Sequence, residues 1–384
     1  MNTETLPGLY LHIPFCRSKC AYCGFYSRTD LSRIPDFLKG LRAEMTLYRA
    51  AFPRIDTVYL GGGTPSVLEA PHLEAILDAL QRQFVIADGA EITVELNPGD
   101  LKAKALRTLR ALGVNRITLG CQSFDDAVLA FLGRRHTARQ GRDAILAARA
   151  AGFDHLGLDL IYGLPDPGGE AGAAFRGWLE TLRTALSFHP EHLSCYQLTL
   201  ESGTPLAATL ARSPLSLPDD DLSARYFLTT SERLEAAGYR HYEVSNYACD
   251  DDHRARHNRK YWDHTPYLGL GPAAHSFDGT RRWWNPRDLD AWIGSLREGA
   301  RPIAGEEMLT RDQLRLEALF LGLRTREGID TVAFRRRYGL DLRAERGGEI
   351  RQLAAAGLVR SDGDRVSPTR RGLACADFLA RLLS

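Results

Sequence analysis

Apolar positions along this chain recur in two alternating rhythms. Short aliphatic runs at residues 9–13, 57–60, 92–94, 116–119, 156–161 and 193–198 read as strands. Between them, apolar residues three and four apart read as helices. Phe37, Leu38, Leu41, Met45 and Tyr48 mark the first, over 31–51. Leu73, Ile76, Leu77 and Leu80 mark the second, and Leu101, Leu106, Leu109 and Leu112 the third. Two more cover 138–151 and 175–188. This alternation predicts an α/β protein with a parallel sheet of βαβ units. Polar and glycine residues gather just past the strand ends, where both a β/α barrel and an open doubly wound sheet place their chemistry. The pattern alone leaves the two open.

From about residue 308 the rhythm changes. Leu314, Leu316, Leu319, Phe320 and Leu323 form one helix face; Val332, Phe334 and Tyr338 suggest a second helix, and 349–358 a third, closed by Gly357. Residues 358–360 and 365–368 flank Asp362-Gly363-Asp364, a hairpin signal. A last helix carries Leu373, Phe378, Leu379 and Leu382. Three helices and a β-wing look like a winged-helix α+β module, which divides the chain into 1–305 and 306–384.

Composition changes this picture little. With 384 residues, 44% of them hydrophobic and 25% charged, the chain can bury a large core and carry a small second domain. A net charge of +1 gives no reason to expect general attraction to nucleic acid or to a membrane surface. The N-terminus lacks a basic region followed by an apolar stretch, and no apolar run reaches the roughly 20 residues a bilayer requires. Seven cysteines are present; Cys121, Cys195, Cys249 and Cys375 are scattered, which argues against a disulfide framework and for a reducing cytoplasm.

The other three cysteines carry the chemistry. Cys16, Cys20 and Cys23 stand at C-x₃-C-x₂-C spacing directly after the first strand. A closed zinc or iron–sulfur site takes four protein ligands. Three leave one corner open for a small molecule, and Tyr22 and Phe25 are placed to shield such a centre from water. Gly61-Gly62-Gly63-Thr64-Pro65 follows the second strand; such a turn admits ligand groups to the backbone, and free N–H groups there can hold a carboxylate. Taken alone it is an ordinary turn. Glu95, Gln122, Arg134 and Asp159 lie at strand ends or in the loops beyond, where any one of them could be a solvated residue or a cap. Asp159 sits in an apolar strand, so its charge needs a partner that a ligand could supply. His257-Asn258-Arg259-Lys260-Tyr261-Trp262 combines an imidazole with flat aromatics that could hold a heme edge; without more it reads as a loop with a surface histidine.

The run Tyr10-x-His12-Ile13-Pro14-Phe15-Cys16, with the cysteine trio, resembles the cluster loop of the radical S-adenosylmethionine enzymes, in the subgroup of HemN and HemW. The resemblance implies a partial (β/α)₆ barrel from about residue 9, with a HemN-like C-terminal part covering the barrel mouth. It implies a [4Fe–4S] cluster on Cys16, Cys20 and Cys23, with the amino and carboxylate groups of S-adenosylmethionine on the fourth iron. It implies that Tyr10, Tyr22, Gly62, Gly63, Thr64, Glu95, Gln122, Arg134 and Asp159 bind that cosubstrate. The H-N-x-x-Y-W match belongs to the heme-chaperone branch and implies heme as cargo near His257, Asn258, Tyr261 and Trp262, delivered to respiratory or other heme enzymes. His275 is a second candidate ligand that reads more readily as structural. The dehydrogenase branch carries a fourth cysteine where this chain has Phe25, and an N-terminal extension before its cluster loop. Radical decarboxylation of coproporphyrinogen III is therefore the weaker reading. Duplex binding by the winged helix, through Arg335, Arg336, Arg337, Arg370 and Arg371, is weaker still, because Glu345, Glu349 and Asp362 interleave with those charges.

Overall fold

A computed structural model describes residues 5–166, 170, 172–212, 215 and 217–384. Part of the N-terminal stretch that lacks a signal pattern, residues 1–4, lies outside them.

All six strands expected from the aliphatic runs are present: β1 (Gly8–Ile13), β2 (Arg54–Gly62), β3 (Val85–Leu96), β4 (Arg116–Gln122), β5 (Leu156–Tyr162) and β6 (His192–Gln197). Each is parallel to the next and adjacent to it. The intervening helices are α1 (Ile34–Tyr48), α2 (Ala70–Gln83), α3 (Ala103–Ala111), α4 (Asp126–Phe131), α5 (Ala138–Ala150) and α6 (Ala173–Leu186). Side chains alternate across the sheet as the pleat requires. On β1, Leu9, Leu11 and Ile13 are fully buried in the main core, while Tyr10 and His12 face the other way. The second face is concave, because the ends of β2 to β6 all line one cavity.

After β6 come α7 (Pro205–Leu210) and α8 (Asp220–Ala236), then elements that the sequence reading did not assign. They are β7 (Arg240–Glu243), β8 (Asn246–Ala248), α9 (Arg256–Trp262), β9 (Tyr267–Leu270), β10 (His275–Phe277), β11 (Arg281–Trp284), α10 (Leu289–Arg297) and β12 (Gly305–Met308). They extend the sheet on both edges, to twelve strands in the order β12-β11-β10-β9-β1-β2-β3-β4-β5-β6-β8-β7. The sheet is therefore mixed rather than wholly parallel. A buried carboxyl ties this extension to α1: Glu44 accepts from the Gly271 amide at 2.7 Å, Asn285 Nδ2 at 2.6 Å and Trp292 Nε1 at 3.2 Å.

Residues 311–383 hold α11 (Arg311–Gly322), β13 (Ile329–Asp330), α12 (Thr331–Tyr338), α13 (Leu342–Ala355), β14 (Val359–Asp362), β15 (Arg365–Pro368), α14 (Arg370–Leu373) and α15 (Ala376–Leu383). The hairpin of β14 and β15 forms where Asp362-Gly363-Asp364 predicts it, and β13 adds a third antiparallel strand. These elements enclose a second apolar core that includes Leu319, Phe334, Leu353 and Leu379. Val332 and Phe378, read as core-facing, are more than half exposed.

The C-terminal part does not cover the barrel mouth. Among the described residues, none that lines either cavity lies beyond Arg287. It packs instead on α8, α9 and β7: Arg370 pairs with Glu232 and Glu235, His264 bonds Tyr338, and Val244 donates to the Arg324 carbonyl. Several of its arginines are spent this way. Arg337 donates to the carbonyls of Asp263 and His264, and Arg335 pairs with Asp341, which removes much of the charge a duplex would need.

Candidate functional site

The cysteine loop leaves β1 and returns at Arg28, where Cys16 N donates to the Arg28 carbonyl at 2.9 Å and Arg28 N to the Pro14 carbonyl at 2.8 Å. Between these points Cys16, Cys20 and Cys23 are free, partly buried, and on the wall of one cavity of about 650 Å³. Burial raises the Cys23 thiol, and Cys20 and Cys16 raise it further while the Phe25 amide opposes them. A metal would displace that proton.

Around the loop stand most of the residues that the resemblance implies. Cys16 Sγ lies 3.2 Å from Thr64 Oγ1, and Arg134 donates to Cys20 Sγ at 3.4 Å and to the Gly120 carbonyl at 2.6 Å. The Nε of Arg134 is buried without a partner. Tyr22, Gly62, Gly63, Glu95, Gln122 and Asp159 share the cavity wall. Gln122 ends β4 with φ of +63°, a left-handed conformation that costs a non-glycine residue about 1 kcal/mol or more and is found at functional sites. Tyr59 donates to Glu95 at 2.6 Å. Burial raises Glu95, and it raises Asp159 to about 7, helped by the neighbouring Glu95 charge and opposed by Ser194 and Arg134. The cavity thus holds two carboxyls short of positive partners and a guanidinium short of an acceptor, which suits a ligand carrying both signs of charge.

The glycine turn works differently from the expectation of free amides. Gly63 N donates to the Ile13 carbonyl and Thr64 N to the Phe15 carbonyl, both at 2.8 Å, and the Gly62 amide bonds Glu95. These donors are spent on the chain just before Cys16, so the turn anchors the cysteine loop. A Cβ on Gly63 would meet those two carbonyl oxygens at 2.7 Å. Phe25 does not shield the cavity either: it is 66% exposed at the rim.

Tyr10 stands apart from the other implied cosubstrate residues. It lines a second cavity of about 300 Å³ beside the first, separated from it by Gly24, Phe25 and Arg287. His12, Tyr26, Tyr261, Tyr267 and His275 share that cavity.

The His257 stretch is neither a loop nor a surface. It is α9, which crosses under the N-terminal ends of the strands. Arg256 and His257 donate their amides to Glu91, Lys260 reaches the Leu6 carbonyl at 2.6 Å, and His253 just upstream accepts from Arg116 on its carbonyl. The His257 ring is 1% exposed, and both its nitrogens are engaged, Nδ1 with Thr57 at 3.0 Å and Nε2 with Tyr261 at 2.8 Å. Burial, then Lys260, lowers it to about 3. No nitrogen is left for iron. Trp262 turns to the C-terminal part, under the Arg324 guanidinium at 5.6 Å, and Asn258 lines neither cavity. Of the four residues assigned to heme, Tyr261 lines the smaller of these two cavities and the other three line neither.

Sequence reasoning missed Asn97, Tyr196, Gln197, Thr199 and Arg287 on the cavity walls. Tyr196 and Gln197 end β6, so the rule that found Glu95 and Asp159 would have reached them.

Comparison with known proteins fits this geometry. Residues 10–171 match the family model of the Radical SAM superfamily, and residues 309–375 that of the HemN C-terminal domain. The barrel and its cysteine loop are thus those of a radical S-adenosylmethionine scaffold. The solved structure of coproporphyrinogen III oxidase (HemN) from Escherichia coli superposes with a TM-score of 0.84 at 25% identity, over 99% of this chain and 90% of that one, and shares the partial β/α barrel. "Heme chaperone HemW" of Mycobacterium tuberculosis (strain H37Rv) is 39% identical over 382 residues, 98% of this chain and 94% of that protein. The Bacillus subtilis (strain 168) protein of the same description is 32% identical over 96% of each chain. The chain belongs to the HemN/HemW family of radical S-adenosylmethionine proteins, most similar among these to HemW. Membership implies a [4Fe–4S] cluster paired with S-adenosylmethionine, and three thiols on one cavity with unpaired charges beside them fit that pair. Among the described residues no helix is long and apolar enough to cross a membrane.

Proposed function

We propose that this protein is a heme chaperone built on the radical S-adenosylmethionine scaffold, one that binds heme and hands it to heme enzymes in the cytoplasm or at the respiratory membrane. Near full-length similarity to proteins described as heme chaperone HemW is the observation that carries this reading. Phe25, in place of the fourth cysteine of the dehydrogenase branch, agrees with it.

In this reading Cys16, Cys20 and Cys23 would hold the cluster, which would supply one-electron chemistry at the sulfonium of the cosubstrate. Arg134 fixes the Cys20 thiolate through its Nη1, and its unpartnered Nε faces an acceptor on the cosubstrate. Glu95 and Asp159 take positively charged or hydroxyl groups, Gln122 and Tyr22 complete the wall, and Tyr10 acts from the adjoining cavity. Gly62, Gly63 and Thr64 hold the loop in place. Residues 306–384 form a winged-helix-like module with its own core, bracing α8 and α9.

The test is anaerobic. The reconstituted protein is loaded with heme, mixed with an apo-heme protein, and separately given coproporphyrinogen III with S-adenosylmethionine and a reductant. Heme appears in the acceptor and no decarboxylated product forms. Product without heme transfer would make the protein a dehydrogenase.

A further inference from the structure

The geometry points to the smaller cavity as the heme seat, with His275 as the iron ligand supplied by the protein. This rests on the chaperone reading and deepens it, because it moves the cargo from α9 to the space between the cysteine loop and β9–β10.

The argument is one of elimination followed by fit. A protein histidine ligates heme iron through a ring nitrogen with a free lone pair. Around the smaller cavity His12 is committed, Nδ1 to Tyr10 at 3.1 Å and Nε2 to the Tyr26 carbonyl at 2.8 Å. His257 is committed on both nitrogens, and His264, bonded to Tyr338 through Nδ1, lines neither cavity. His275 alone of these four is exposed and has neither nitrogen in a hydrogen bond among the described residues. Its ring is held by stacking on Trp284, with centroids 5.8 Å apart and planes at 27°.

The walls suit the rest of the molecule. Tyr10, Tyr26, Tyr261 and Tyr267 present flat aromatic surface, and Phe25 projects at the rim. Heme propionates need a cation, and Arg287 lines the cavity while donating to the Gly24 carbonyl at 3.0 Å. A cavity of about 300 Å³ is at the lower end for small-molecule sites, so it grips one edge of a macrocycle and leaves the other outside. Cargo held by an edge is open to a recipient. The substitution that separates this chain from the dehydrogenase, Phe25 for cysteine, then supplies apolar surface to the seat.

The experiment compares the cluster-loaded wild-type protein with His275→Ala and His275→Gly, each titrated anaerobically with hemin. Soret-excited resonance Raman spectra report the iron ligands. His275→Ala weakens heme binding at least tenfold and removes the iron–imidazole signature; added imidazole restores that signature in His275→Gly, which shows that the variant is folded. Phe25→Ala weakens binding and leaves the signature unchanged. Wild-type spectra and affinity in His275→Ala overturn the seat while leaving the chaperone reading intact. Wild-type protein that takes up no heme overturns both.

Discussion

Asp159 shows how the lumen is charged in the absence of ligand. Its carboxyl is pushed up to about 7, first by burial and then by Glu95 beside it. The folded-state value lies above the unfolded one, so the folded chain holds a proton that the unfolded chain loses above about pH 4. Stability is therefore lost as pH rises from about 4 to 7 and is flat above that. Asp159→Asn removes the loss. In the ligand-free protein it raises stability at pH 8 relative to pH 5 by on the order of 2 kcal/mol, read from urea midpoints at the two pH values. An equal gain at both would mean that the carboxyl is not buried beside a like charge. That Asp159, Glu95 and the three cysteines gather at one end of the sheet was legible in the sequence, because a strand end and a close spacing are local features. His257 was not: its partners Thr57 and Glu91 lie far upstream, and only the folded chain shows that both ring nitrogens are taken.

At the scale of elements, two segments hold the site from outside it. The Gly62–Gly63–Thr64 turn straps the chain on either side of Pro14 through two backbone bonds, and α9 closes the floor of the barrel through Glu91 and Leu6. The strap leaves no room for a side chain. Gly63→Ala places a carbon against two fixed carbonyl oxygens, which costs about 1–3 kcal/mol and displaces the cysteine loop. Iron retained per chain after anaerobic reconstitution falls several-fold, whereas Gly177→Ala, with open space around it, leaves iron unchanged. Full iron retention by Gly63→Ala would show that the strap does not set the loop. The six parallel strands were legible because each is an aliphatic run buried against helices. Strands β7 to β12 have three or four residues each, too few for a period to register, and β11 and β12 carry the charged sequences RRWW and GEEM.

In the whole molecule, the cavities open at one end of the barrel while α9 and the C-terminal part brace its floor and flank. The change of apolar spacing near residue 308 was legible in the sequence, and the residues beyond it gather in a second apolar cluster, but where they dock was not legible. Docking rests on pairs far apart in the chain, such as Arg370 with Glu232 and His264 with Tyr338, which no local pattern reveals. The arrangement leaves the cysteine loop between a charged cavity and an aromatic one, the two sides on which the proposed function would hold cosubstrate and cargo. All of this depends on the loop carrying an iron–sulfur cluster with one open corner. The most direct test is electron paramagnetic resonance of the reduced, anaerobically reconstituted protein with and without S-adenosylmethionine, alongside iron and sulfide assays. The account predicts about four irons and four sulfides per chain and a cluster signal that changes when the cosubstrate is added. A chain that retains neither iron nor sulfide, or a cluster signal indifferent to S-adenosylmethionine, would contradict it.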